Sequence, residues 1–134
     1  MKRVLFVDVR NATRSQIAEA WFNHLVGNWM QAQSCGTLPA ERVSVHAVQV
    51  MREVGIDIHR KFPQPITQFM LDRADIVVYL GTAIYPRAHH GMRVWDFQDP
   101  AGGSLDHVRE LRDQICSRVE RLIAEIAEEE TVPA

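Results

Sequence analysis

Residues 3 to 7, Arg3-Val4-Leu5-Phe6-Val7, form a short apolar run that ends at Asp8, and a polar stretch to Ser15 separates it from a segment whose apolar residues recur at helical spacing. A strand apolar on both faces has to be covered on both sides, the condition of a strand inside a parallel sheet. Ile17, Ala18, Trp21, Phe22 and Leu25 mark one face of a helix from Ser15, and Gly27-Asn28 supplies its stop. Strand, tight loop and helix in that order are the first unit of an α/β fold.

The rest of the chain repeats the theme. A short strand over Gln31 to Cys35 is broken by Gly36 and Pro39, and a helix from Val43 to Val54 closes at Gly55. Residues 56–67, with His59, Pro63 and Pro65, read as a loop. A short helix over Ile66 to Arg73 leads into the buried strand Asp75-Ile76-Val77-Val78-Tyr79-Leu80, and Met92 to Trp95 makes a fourth strand. After the loop from Asp96 to Gly103, a last helix runs from Leu105 to Glu128 with Ser104 as its cap; Val108, Leu111, Ile115, Val119, Leu122 and Ile126 share one face. The expectation is one α/β domain over residues 1–134, a four-stranded parallel sheet flanked by helices, with any site outside the carboxyl ends of the strands.

Composition excludes several function classes. With 15 Lys+Arg against 17 Asp+Glu there is no basic stripe for nucleic acid, and no apolar run is long enough for a membrane span or a signal-peptide core. A cytoplasmic protein is expected. Cys35 and Cys116 are the two cysteines, far apart and in no zinc-type cluster, so they read as partly buried reduced thiols. His24, His46, His59, His89, His90 and His107 make no metal motif, and neither metal nor cofactor is expected. Trp21, Trp29, Trp95, Tyr79 and Tyr85 belong to core or rim, or line a binding surface.

The chemistry-bearing stretch is Asp8-Val9-Arg10-Asn11-Ala12-Thr13-Arg14-Ser15. A loop between a buried strand and a helix aims backbone N–H groups and the positive helix end at one point, an anion cradle. Arg14 adds a planar fork suited to phosphate-like oxygens. A polar strand-to-helix turn with one arginine can equally be structural. Asp99-Pro100, beyond the fourth strand on the same sheet edge, offers a general acid or simply a turn.

Taken together these blocks resemble the low-molecular-weight protein tyrosine phosphatase superfamily, and within it the thioredoxin-coupled arsenate reductases. The resemblance runs through Asp8 to Ser15, Gln16 to Trp21, Ser34-Cys35-Gly36-Thr37, Val54 to Ile58, Ala74 to Val78 and Trp95 to Ala101, in the family's order. It implies a low-molecular-weight phosphatase-like fold in which Asn11 holds a left-handed bend, Arg14 binds anion oxygens, Ser15 bonds residue 8 and Asp99 is the general acid. It also places Asn11, Glu19 and Ser34 where that branch has a potassium-binding cluster, with Gln64 in place of a carboxylate.

The family's loop opens with a nucleophilic cysteine, whereas Asp8 stands here; Arg10 replaces a small residue, Thr13 replaces a residue that is often cysteine, and Leu80 to Tyr85 contains no resolving cysteine. The expectation is therefore a homologue with a degenerate phosphate-binding loop, lacking cysteine-dependent catalysis, that binds a phosphate-like oxyanion or phosphorylated partner without a thiol relay. Asp8 would serve as a built-in ligand of the cradle. The alternative is a residual phosphomonoesterase using Asp8 or activated water, with Arg14 as anion clamp and Asp99 as acid.

Overall fold

The structure is a computed structural model that describes residues 2–81 and 91–131. Tyr85, His89, His90 and positions 82–85 of the cysteine-free stretch lie outside the described residues. The elements follow in the order β1 (Arg3–Asp8), α1 (Arg14–Val26), β2 (Gln31–Gly36), α2 (Val45–Glu53), α3 (Gln68–Arg73), β3 (Ile76–Leu80), β4 (Met92–Trp95) and α4 (Leu105–Thr131). They form a parallel four-stranded sheet of order β2-β1-β3-β4 flanked by helices, the arrangement that the low-molecular-weight phosphatase resemblance implies.

The period-two alternation of β1 divides the core. Val4 and Phe6 join Ile76, Val78 and Leu80 on the face packed by apolar residues of α1, α2 and α4. Leu5 and Val7 join Cys35, Val77 and Tyr79 on the other face, which Leu71 and Ala74 cover. A strand that serves two cores needs apolar side chains at every position, hence the unbroken run in the sequence. Phe6 centres the larger core, edge-on to Phe22 at 6.0 Å and tilted to Trp95 at 5.8 Å. Glu53 ties α2 to α4 by accepting from Arg109 and Arg112. Trp95 and Tyr79 are core residues, whereas Trp29 is exposed.

Register brings Asp8 beside Gly36, and Leu80 beside Trp95, at the carboxyl edge of the sheet. Three boundaries differ from the sequence expectation by two residues or more. Helix α2 begins at Val45 because Ser44 caps it, its hydroxyl accepting from Ala47 N–H, which leaves Val43 as a core residue ahead of the helix. Helix α3 begins at Gln68 because Gln64 to Ile66 pair with the end of β2: Gly36 N–H donates to Gln64 O and Ile66 N–H to Gly36 O. Helix α4 continues to Thr131. Cys35 and Cys116 are free thiols, buried more completely than expected. Among the described residues no helix is long and apolar enough to cross a membrane.

Phe6→Ala removes a ring that contacts both α1 and β4, so a loss of about 3–5 kcal/mol is expected in urea unfolding.

Candidate active site

The loop from Asp8 to Ser15 is shaped by where its carbonyls go. Those of Asp8, Val9, Arg10 and Ala12 accept from the N–H groups of Thr37, Leu38, Ala40 and Ser44 at 2.8–3.0 Å. In a trans peptide the next N–H points opposite to the carbonyl, so the N–H groups of Arg10, Asn11 and Thr13 turn towards the concave side. Asn11 N–H is taken by Asp8 Oδ1, while those of Arg10 and Thr13 have no partner among the described residues. Asn11 bends the loop with a φ of 51°, a left-handed conformation that asparagine tolerates better than most residues. Gly36 lies directly beneath, where a Cβ would come within 2.6 Å of Val9 O and 3.0 Å of Asn11 N.

Asp8 is 1% exposed. Its Oδ1 accepts from Asn11 N–H at 2.6 Å and its Oδ2 from Ser15 N–H at 2.9 Å. Ser15 is in the first turn of α1, which has no acidic residue and no side-chain cap of its own, so the Asp8 carboxyl caps α1 from the end of β1. Burial pushes the Asp8 carboxyl above its ordinary range, against the opposing pull of the Ser15 N–H, the Arg14 guanidinium and the Asn11 N–H. Arg14 Nε lies 3.9 Å from Asp8 Oδ2, and its Nη1 donates to Phe97 O at 2.9 Å, which anchors the guanidinium to the loop after β4.

These groups open on a cavity of about 310 Å³ lined by Asp8, Arg10, Ala12, Thr13, Arg14, Ser44, His46 and the segment Asp99 to Gly103. Arg10 and Asp99 are exposed, Val9 is half-buried, and Arg14 and Ser15 are buried. Asp99 reaches the cavity while its Oδ1 accepts from Ala101 N–H at 3.0 Å, so it makes a turn as well as lining the site. The cavity can hold a small oxyanion between free N–H groups and a pre-oriented guanidinium.

Behind the loop, Asn11, Glu19 and Ser34 do come together. Asn11 Nδ2 donates to Ser15 Oγ and Ser34 Oγ at 2.7 and 2.9 Å, and the Ser34 hydroxyl donates to Glu19 Oε1 at 3.1 Å. A cation already stands there, since Lys61 Nζ is 2.6 Å from Glu19 Oε2. Among the described residues no group of three or more His, Cys, Asp or Glu side chains is placed to hold a metal ion. Sequence reasoning missed Ser44, His46, Gly36 and Lys61 as parts of the site. The Ser44 cap was the available signal for the first two, because a capped helix start beside the cradle brings its first turn to the rim; nothing local marks Lys61.

Two outcomes are expected here. Because the folded-state pKa of Asp8 lies above the unfolded one, its contribution to stability is fully present below about pH 3.8 and is lost as pH rises through the folded value. Urea unfolding of the native protein and Asp8→Asn between pH 4 and 8 should show the difference moving in favour of the native protein as pH falls, by about 1.4 kcal/mol per tenfold change in proton affinity. Gly36→Ala must push the loop backbone aside, and a loss of about 1–3 kcal/mol in the same measurement is expected.

The sequence model of the low molecular weight phosphotyrosine protein phosphatases matches residues 3–132. A glutaredoxin arsenate reductase of Synechocystis sp. is 39% identical over 132 residues, 95% of this chain and 100% of the relative. The solved structure of an arsenate reductase in the phosphate-binding state superposes with a TM-score of 0.86 at 38% identity, covering 94% of this chain and 99% of that one. A thioredoxin-dependent arsenate reductase of Corynebacterium glutamicum gives a TM-score of 0.80 at 30% identity, over 96% of this chain and 63% of that one. These findings correct two expectations. A degenerate, non-catalytic loop, with residual phosphomonoesterase activity as its alternative, gives way to relatives named as arsenate reductases. The absence of a thiol relay gives way to relatives named for glutaredoxin and thioredoxin. The expectation rested on the lack of cysteine at position 8 and in Leu80 to Tyr85 of this chain. The chain belongs to the low molecular weight phosphotyrosine protein phosphatase family.

Proposed function

We propose that this protein is an arsenate reductase that binds the oxyanion in the Arg14 cavity and takes its reducing thiols from a separate cytoplasmic thiol donor of the glutaredoxin or thioredoxin kind. The observation that carries this reading is the assembled cradle: a buried Arg14 held by Phe97 O, with the N–H groups of Arg10 and Thr13 at the cavity wall without a partner among the described residues. The similarity to arsenate reductases of nearly the same length supports it.

The thiols have to come from outside. Asp8 stands at the loop position that holds cysteine in the family pattern. Burial, then the charges of Asp8 and Glu19, push the Cys35 thiol up to about 12, and burial does the same for Cys116. A thiol with that pKa is ionised in about one molecule in 100,000 at neutral pH, too little for a working nucleophile. In the proposed reaction a donor sulfur bonds to arsenic as one oxygen leaves as water. A second donor thiol then attacks that sulfur, the S–As bond breaks, a disulfide forms, and the electron pair stays on arsenic as arsenite.

Within this scheme Arg14 and the N–H groups hold the oxyanion, and Asp99 at the rim protonates the departing oxygen. Asp8 orients the loop. An ionised carboxylate about 4 Å from the bound anion costs on the order of 4 kcal/mol at an effective dielectric near 20, and the tendency of buried Asp8 to hold its proton reduces that repulsion.

Arsenite formation is to be measured with the purified protein, arsenate and either glutathione plus glutaredoxin or the thioredoxin system. Turnover with one donor, reduced roughly 100-fold in Arg14→Ala and about tenfold or more in Asp99→Asn, is expected. No arsenite with either donor, together with turnover in Asp8→Cys, would overturn the reading.

A further inference from the structure

The segment after α2 is strapped across the back of the oxyanion loop. Ile58 is buried in the larger core, Lys61 N–H donates to Ile58 O at 3.0 Å, and Gln64 N–H donates to Asn11 Oδ1 at 3.0 Å. Gln64 Nε2 also bonds Ser34 O at 2.9 Å. Anchored on both sides, the strap sets the half-exposed Lys61 side chain over Glu19 of α1, whose own side chain is 7% exposed.

From that ion pair a directed hydrogen-bond chain runs to the floor of the cavity. Glu19 accepts the Ser34 proton, so the Ser34 oxygen is left to accept from Asn11 Nδ2. The same Nδ2 donates to Ser15 Oγ, and the Ser15 N–H donates to Asp8 Oδ2 at 2.9 Å. With Nδ2 fixed, Asn11 Oδ1 faces Gln64 N–H and Gln16 Nε2. Every donor and acceptor of the Asn11 amide is then used at the residue whose left-handed φ bends the loop.

We infer that Lys61 is a positioning residue for the oxyanion loop: its ammonium, acting through Glu19 and Ser34, fixes the Asn11 amide and with it the loop bend, so the chain supplies its own cation at this point. Without the ammonium, Glu19 is an unpaired buried carboxylate, a state relieved by turning towards solvent or admitting water. Either change takes Oε1 away from the Ser34 hydroxyl. That hydroxyl is then free to turn its proton towards Asn11, whose NH₂ cannot accept, and the amide has to turn away from Gln64 and Ser15. The inference rests on the oxyanion-binding role proposed above for its functional consequence, though not for its geometry.

The test compares the native protein, Lys61→Met and Lys61→Arg by NMR of the Asn11 and Ser15 backbone amides, in ammonium chloride and in matched sodium chloride, alongside affinity for inorganic phosphate. In Lys61→Met both amides should shift or broaden and phosphate affinity should fall about tenfold, a magnitude typical of groups that orient a binding residue. Lys61→Arg, or ammonium added to Lys61→Met, should restore both. Unchanged Asn11 and Ser15 amides in Lys61→Met would overturn the inference. So would global unfolding of Lys61→Met that Lys61→Arg does not correct. If the native protein binds no phosphate and reduces no arsenate while these amides still respond to Lys61, the proposed function fails and the positioning role stands.

Discussion

The carboxamide of Asn11 is the contact on which the site depends. Its NH₂ bonds Ser15 and Ser34, and its oxygen accepts from Gln16 and Gln64. One buried side chain thereby joins the loop after β1, the start of α1, strand β2 and the strap before α3. A buried amide is costly unless all its groups are paired, and once they are paired it tolerates one geometry only. That geometry includes the left-handed bend, and the bend lets the loop lie against Gly36 while its carbonyls turn outward to residues 37–44.

Asp8 and Arg14 are both buried, yet each is satisfied mainly by the backbone. Asp8 is held by the Asn11 and Ser15 N–H groups, and Arg14 by the Phe97 carbonyl, with 3.9 Å between the guanidinium Nε and the carboxyl. A short bidentate pair between them would occupy the donors an oxyanion needs. The separation leaves the other guanidinium donors without a hydrogen bond among the described residues, and the Phe97 bond fixes their direction. It also makes the loop after β4 part of the site, so the Asp99 turn and Arg14 share one rigid frame.

Much of the fold was legible in the residues. The unbroken apolar runs of β1 and β3, the helical spacing of α1 and α4, and Ser104 as a cap were local signals of strands and helices that the structure contains. The ends of α2 and α3 were less legible, because the Ser44 cap and the pairing of Gln64 to Ile66 with Gly36 overrode the apolar pattern. The loop from Asp8 to Ser15 and its neighbour Asp99 stood out as polar residues at the carboxyl ends of strands. Ser44, His46 and Lys61 did not, since helical or loop residues distant in sequence join a site only through packing.

The sequence by itself determined the alternation of strand and helix, the two-sided burial of β1 and the presence of a carboxylate where the loop leaves it. Those follow from side-chain polarity and spacing, which act over a few residues. The tertiary structure alone decided that burial raises the affinity of Asp8 for its proton, that Arg14 is aimed by a carbonyl 83 positions away, and that the charge beside Glu19 comes from Lys61. Desolvation and ion pairing depend on distances and on the exclusion of water, and both exist only once segments remote in the chain have packed together.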